Sequence, residues 1–406
     1  MNTPKTEKSA LRRLPVNVWV LTLTSFLTDV SSEMLTNLIP LFLLNVLGVR
    51  TSVVGLIDGI AETTASILKL YSGVLADRLG KGKALTVIGY AISALSKPFL
   101  YFANSWGLVL AVRFSDRLGK GIRTSPRDAL LAGSVPADRR GLAFGLHRAG
   151  DTAGAFVGLS IATYIIWVTQ AKAVDLTKLT FQRLVLASII PAFLGVIILA
   201  LGAREVATAS KGIASPRLTW AGADKRFKFF LLAVILFTLG NSSDSFIILR
   251  GQERGLNVIQ LMGMSLTFNA VYALLSSPAG SLSDRIGRRA LVLTGWLIYG
   301  VIYIGFALAH TGAQIWVLFA FYGIYYALTE GTARALIADL VPASQRGTAY
   351  GIFYASIGFT ALPASIIAGV LWQGIGGWTG FGPSAPFLFG ALLSLLAGLV
   401  FMFYVR

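Results

Sequence analysis

GVLADRLGKGKAL, Gly73 to Leu85, recurs as GSLSDRIGRRALV, Gly280 to Val292, 207 positions further along the chain. Each copy ends one long apolar run and leads into another. The short acidic-basic turn, Asp77-Arg78 followed by Lys81 and Lys83, therefore reads as a tight loop at a membrane surface. Its repetition marks an internal duplication, a construction common among membrane proteins built from repeats. Two more landmarks keep nearly the same spacing. Val135 to Gly145, VPADRRGLAFG, parallels Val341 to Gly351, VPASQRGTAYG; near the start of each half Val30-Ser-Ser-Glu33 parallels Asn241-Ser-Ser-Asp244.

The 406 residues are 55% hydrophobic and 13% charged, where a soluble chain of this length would carry about 25% charged residues. A bilayer is the environment that fits. The net charge of +17 does not point to nucleic acid, because the cations are sorted by position. Twenty of the 35 Lys and Arg fall in the N-terminal tail and the two repeated loops, at Arg139, Arg140 and Arg346, in the 204–228 segment and at the C-terminus. Arg50, Lys172, Lys178, Arg183, Arg250 and Arg254 are the few expected on the opposite side. That asymmetry places both termini in the cytoplasm and makes the number of spans even. The chain has no cysteine and only two histidines, His147 and His310, which disfavours thiolate or imidazole metal centres.

A span needs about 20 mostly apolar residues, and twelve stretches qualify. The first six lie near 17–46, 52–76, 84–103, 105–131, 141–169 and 183–203. The second six lie near 227–249, 256–282, 289–309, 312–338, 346–373 and 384–405. The expected organisation is an all-α membrane protein: a cytoplasmic tail (1–15), a six-helix bundle (16–203), a basic linker (204–226) and a second, pseudo-symmetric six-helix bundle (227–406).

Charge inside the spans is expensive and marks function by default. The fourth span carries Arg113, Asp116, Arg117, Lys120, Arg123 and Arg127 at steps of three or four, a single helical stripe that cannot face lipid. It must line water or meet carboxylates. Candidates are Asp29 and Glu33 on the first span, Asp58 and Glu62 on the second, and Asp151, one turn beyond His147 and Arg148, on the fifth. Lys69 and Lys97 are further cations of this half. The second half is drier: Asp244 and, four apart on the tenth span, Glu330 and Arg334. Its side of the site is expected to be apolar and aromatic, drawn from Phe237, Tyr272, Tyr299, Tyr322, Tyr325, Tyr326 and Phe353. The plain alternatives are permanent ion pairs for the charges and packing for most of the aromatics.

The two loops resemble the repeated G-x-L-A-D-R-x-G-R-K motif of the major facilitator superfamily, matched by Gly73, Leu75, Ala76, Asp77, Arg78 and Gly80, with Lys81 for the Arg and Gly82 for the Lys. The resemblance implies twelve transmembrane helices in two six-helix bundles. It also implies conformational latches at Gly73, Asp77, Arg78 and Gly80 and at their copies Gly280, Asp284, Arg285 and Gly287, with Arg334 as a basic partner. Arg117-Leu-Gly-Lys-Gly121 resembles the fourth-helix pattern R-x-x-q-G, whose Arg is associated with proton coupling; Lys120 replaces Gln, and Arg113 lies one turn away as an alternative. Gly150-x-x-x-Gly154-Ala155-x-x-Gly158 resembles the antiporter motif G-x-x-x-G-P-x-x-G-G, with Ala155 and Leu159 replacing Pro and the last Gly. The same glycines fit close helix packing.

The expected function is secondary active transport by alternating access: proton-coupled export of a small organic compound across a bacterial inner membrane. The alternative is a proton-coupled symporter or exchanger of an organic anion bound at the Arg/Lys stripe. No nucleotide-binding loop, metal cluster or nucleophile constellation supports an enzyme. The expected partners are a small-molecule substrate, protons and the lipid bilayer, with no nucleic acid. The proton gradient replaces a cofactor, and two complete halves suffice for a monomer.

Overall fold

A computed structural model of the chain describes residues 14–79, 81–136, 139–170, 173–206, 224–342 and 345–405. Among them every regular element is helical. The N-terminal half contributes α1 (Val16–Thr36), α2 (Thr51–Leu79), α3 (Gly82–Ser96), α4 (Trp106–Gly133), α5 (Arg140–Gln170) and α6 (Lys178–Gly202). The C-terminal half contributes α7 (Lys225–Gly240), α8 (Ser245–Glu253), α9 (Val258–Ile286), α10 (Arg288–Leu308), α11 (Gly312–Leu340), α12 (Arg346–Gln373) and α13 (Ala385–Tyr404). A π-helical turn, Phe42–Val46, follows α1, and a 3-10 segment, Lys97–Phe102, extends α3. All twelve expected spans are thus helical, and the seventh is split into α7 and α8 by Asn241–Asp244.

Ten stretches among the described residues are long and apolar enough to cross a membrane. α1 and α4 fall outside that group. α4 carries seven charges, Arg113, Asp116, Arg117, Lys120, Arg123, Arg127 and Asp128, and α1 is threaded with Thr, Ser, Asp29 and Glu33.

Two compact units form: Met1–Thr36 with Ile67–Ile165 and Phe181–Gly212, and Asn37–Ser66 with Ile166–Thr180 and Ile213–Arg406. In the first, Val18, Leu21, Tyr90, Leu130, Leu131 and Leu199 share a core. α5 lies on α1 with almost no side chain between the backbones. A Cβ on Gly154 would stand 2.4 Å from the Phe26 carbonyl oxygen, and one on Gly158 would stand 2.5 Å from that of Val30. The glycine run of the fifth span is a packing surface of the small-residue kind that membrane helices use for close approach.

In the second unit the first half of α2 rests on α12. Thr63 Oγ1 donates to the Gly358 carbonyl (2.6 Å) and the Thr51 amide to Gln373 Oε1 (2.9 Å). The C-terminal helices enclose an aromatic core in which Tyr299 stacks on Tyr303 (3.9 Å), Phe237 on Trp296 (4.9 Å) and Phe268 on Phe319 (4.7 Å). Such pairs contribute about 0.5–1.5 kcal/mol each beyond their buried area. Arg250 of α8 is fully buried and closes the end of α10, donating to the carbonyls of Phe306 (3.1 Å) and Ala307 (3.0 Å).

The duplication is visible in local geometry. Ser105 caps α4 by accepting from the Leu108 amide, and Thr311, 206 positions on, caps α11 by accepting from Gln314, both at 3.4 Å. The turn from α4 to α5 closes with Arg139 N donating to Pro136 O, and that from α11 to α12 with Gln345 N donating to Pro342 O. Gly48 and Gly255 occupy equivalent left-handed turns, at φ 63° and 92°, where a Cβ would be strained.

Three residues before those glycines stand Asn45 and Gln252, 207 apart, and they bond to each other. Asn45 Nδ2 donates to Gln252 Oε1 (3.2 Å) and Gln252 Nε2 donates to Asn45 Oδ1 (2.9 Å). Gln252 also donates to Asp175 Oδ1 (3.1 Å), and the Leu176 amide donates to Asn45 Oδ1 (3.1 Å). A cavity of about 520 Å³ beside this knot is lined by Asn45, Thr51, Asp175, Gln252, Trp372 and Gln373.

Candidate functional site

The polar interior of the first unit is built by α1, α3, α4 and α5. Helical spacing puts the α4 cations on one face, and the structure turns that face inward: Arg113, Arg117 and Arg123 are all buried. Their surroundings are mixed. Arg123 Nη1 donates to Ser93 Oγ (2.6 Å), and its guanidinium lies 4.3 Å from the Tyr90 ring centroid, a cation–π contact that the sequence did not signal. Arg127 pairs with Asp128 at 2.8 Å and reaches Ser25 Oγ at 3.5 Å. Lys97, buried, donates to Ser31 Oγ (2.5 Å) and Ser32 Oγ (3.1 Å).

The expected carboxylates of α1 are in this cluster. Glu33 lies within electrostatic reach of Lys120, Arg117, Arg113 and Lys97. Asp29 has Asp151, Glu33, Lys120 and Arg123 around it, and Asp116 has Arg117, Lys97, Arg123 and Arg113. Asp151 is one turn along α5 from His147, its Oδ2 3.5 Å from the imidazole Nδ1. Arg148 sits on the exposed side of α5. Serine hydroxyls and a tyrosine face share the cations with the acids, so the groups form one buried polar network.

Asp58 and Glu62 belong to the second unit. Asp58 is buried at 4% exposure, and its Oδ2 accepts from Ser243 Oγ (2.7 Å) and Ser245 Oγ (2.5 Å). It thereby ties α2 to the break between α7 and α8. Asp244, in the same break, accepts from Tyr322 Oη (3.0 Å) and Tyr326 Oη (3.4 Å), and has Glu62 and Asp58 nearby. Asn241 Oδ1 accepts from Tyr322 (3.2 Å) and Tyr303 (3.4 Å), and the freed Gly240 carbonyl accepts from Tyr299 (3.1 Å). The unwound turn is therefore held by tyrosine hydroxyls from α10 and α11. Glu330 bonds to Arg334, as the spacing of four implies, and also to the Tyr272 hydroxyl.

Removing the Asp58 carboxylate should loosen this break. Asp58→Ala leaves two serine hydroxyls without their acceptor and is expected to lower stability by about 1–3 kcal/mol, with Asp58→Asn recovering part through its remaining carbonyl. Thermal unfolding of the detergent-solubilised protein measures it; an alanine variant as stable as wild type would remove Asp58 from this role.

Of the loop residues, Gly73, Asp77 and Arg78 fall in the last turns of α2, but their side chains, like that of Asp284, lie outside the described residues, as does Gly80. Gly280 has open space about its Cα, Arg285 is exposed, and Gly287 (φ 92°) makes the turn from α9 to α10. Ser243, Ser245 and Tyr303 carry no functional signal in the sequence, because their roles depend on the break in the seventh span. His147 is marked there only by standing one turn from Asp151, the i,i+4 spacing that the structure turns into a contact.

The sequence pattern of the Major Facilitator Superfamily matches residues 21–265 and 229–406. An uncharacterised MFS-type transporter of Methanocaldococcus jannaschii is 37% identical over 400 residues, covering 97% of this chain and 96% of that protein. The class B tetracycline resistance protein of Escherichia coli is 34% identical over 149 residues, 36% of this chain and 34% of that protein. Among solved structures, a D-xylose–proton symporter superposes with a TM-score of 0.77 at 16% identity, over 96% of this chain and 98% of that one.

Proposed function

The chain is a member of the Major Facilitator Superfamily, a multi-pass membrane transporter and not an enzyme, and from that premise we propose that it exports a small organic compound in exchange for protons. The observation that carries the reading is the buried ion network of the first unit. Asp29, Glu33, Asp116 and Asp151 sit among Lys97, Arg113, Arg117, Lys120 and Arg123. A proton taken up in that network changes which cation pairs with which, and that re-pairing is the coupling. The tetracycline resistance relative supports export, and the proton symporter, alike in fold, is compatible with proton coupling.

In this reading two six-helix bundles, 16–203 and 227–406, alternate access to a path between them. The bonds of Asn37–Ser66 to α8 and α12 are those that break when that end opens. Asp77 and Asp284 serve as latches at the other end, where a broken pair shifts the balance of states. Both termini face the cytoplasm of a bacterial inner membrane, the working unit is a monomer, and the proton gradient drives transport. A second reading, uptake or exchange of an organic anion, is favoured by the four cations around Glu33.

Thermal stability against organic anions, lipophilic cations and neutral metabolites, at about pH 5.5 and pH 8, separates the two through mass action. Stabilisation by cations or neutral compounds, greater at the higher pH, is the expected result. Stabilisation by anions alone, lost in Arg117→Ala, would replace export with the anion reading.

A further inference from the structure

Where α1, α4 and α5 meet, the first unit holds buried polar atoms with no hydrogen-bond partner: Thr22 Oγ1, His147 Nε2 and Asp151 Oδ1. His147 is 4% exposed. They form one neighbourhood. Thr22 Cγ2 lies 2.7 Å from where a Cβ on Gly150 would stand, and Gly150 lies between the other two on α5. The charged groups facing His147 are Arg127 and Asp128 from α4 and Arg148 and Asp151 from its own helix; Asp29 from α1 faces Asp151.

The imidazole is held on one side only. With its Nδ1 against Asp151 Oδ2 at 3.5 Å, the carboxylate selects the tautomer that carries the proton on Nδ1. Nε2 is then a bare acceptor, and Asp151 Oδ1 is a second one. An unsatisfied buried acceptor is costly, and native interiors keep few of them without a role. Arg127, already bonded to Asp128 and within reach of Asp151, is the neighbour whose pairing a new positive charge would redistribute.

We propose that His147 carries the coupling proton, with Asp151 as its positioning residue. Nε2 takes a proton from hydronium on one side of the membrane: a hydronium O–H bond breaks to leave water, the N–H bond forms, and the reverse step returns the proton to water on the other side. The imidazolium is balanced by Asp151, and its repulsion of Arg127 alters the tie between α4 and α5. The proposal rests on the proton-coupled reading above and names its carrier, in place of a carboxylate.

The sequence makes the test clean. It has two histidines, and His310 is exposed, so 15N-histidine labelling of the full chain in bilayers yields two imidazoles to follow. The signals removed by His147→Asn are expected to pass from neutral ring to imidazolium between about pH 5 and pH 8. In Asp151→Asn the neutral ring should lose its preference for Nδ1–H and the pH range of its titration should move, the second a change that a histidine held in one protonation state for a purely structural role would not show. With no native cysteine, Asn45→Cys/Gln252→Cys and a short bismaleimide report the conformation. Cross-linking yield is expected to change about two-fold or more over the same pH range, and to become flat when His147→Asn is added.

A His147 ring in one protonation state throughout would overturn the proposal. Cross-linking that still depended on pH would then leave proton coupling standing with another carrier, whereas flat cross-linking would remove the coupling reading as well. Titration of His147 with pH-dependent cross-linking that survives His147→Asn also overturns it.

Discussion

Replacing Arg250 by alanine is expected to lower the unfolding free energy by about 2–6 kcal/mol, about 1–3 kcal/mol for each of the two buried carbonyls, of Phe306 and Ala307, left without its donor. The guanidinium makes bonds that no smaller group can replace. Besides the carbonyls of Phe306 and Ala307, it donates to Ser384 Oγ at 3.2 Å and pairs with Glu253 at 2.6 Å. α8, α10 and the start of α13 are fastened by one side chain. Arg250→Lys should recover only part of the loss, because a single ammonium cannot present a planar fork to separated acceptors. Thermal unfolding in detergent checks both. A melting temperature within about a degree or two of wild type for Arg250→Ala would mean that the buried carbonyls find other donors.

The second large effect is expected at Gly154. A leucine there has to pass through the Phe26 backbone, which leaves a Cβ only 2.4 Å, so α5 must move off α1. Overpacking costs about 1–3 kcal/mol where the neighbour can yield, and here the neighbour is main chain. Gly154→Leu should therefore yield little monodisperse protein on gel filtration. Gly145→Leu, whose added Cβ meets nothing within 4 Å on an exposed position, should behave as wild type. Equal behaviour of the two would contradict the close α1–α5 contact.

Much of the fold was legible because membrane helices announce themselves twice, by apolar length and by charges at their ends. The repeat GVLADRLGKGKAL and GSLSDRIGRRALV carried the duplication, and the α4 stripe followed from helical spacing alone. Helical spacing implies that the α4 stripe turns away from lipid, and Arg113, Arg117 and Arg123 are buried. Three things were hidden. The break at Asn241–Asp244 lies in an apolar context, with Ser and Asn the only hint of a turn. The serine and tyrosine partners of the charges come from other helices, at separations that no local spacing encodes. The placement of Asp58 and Glu62 depends on which end of α2 packs on α12, a tertiary fact. His147 and the pair Asn45–Gln252 were within reach: the first by its i,i+4 acid, the second by carrying the 207-residue offset three positions back from matched glycines.

That pair has a consequence for what evolution can place there. Positions that are equivalent in two copies of one fold, and that also touch, behave as one residue meeting itself, as at the two-fold axis of an isologous homodimer. A residue on such an axis must be complementary to its own copy. Two carboxylates would repel, two ammonium groups would repel, and a cation could be satisfied only if the copies had already diverged. A carboxamide carries a donor and an acceptor on one planar head, so it pairs with another carboxamide in both directions at once, as Asn45 and Gln252 do. The single methylene between them is a divergence that such a contact absorbs while keeping both bonds. The head-group chemistry is fixed by self-complementarity, and the chain length of the side chain is left free to drift.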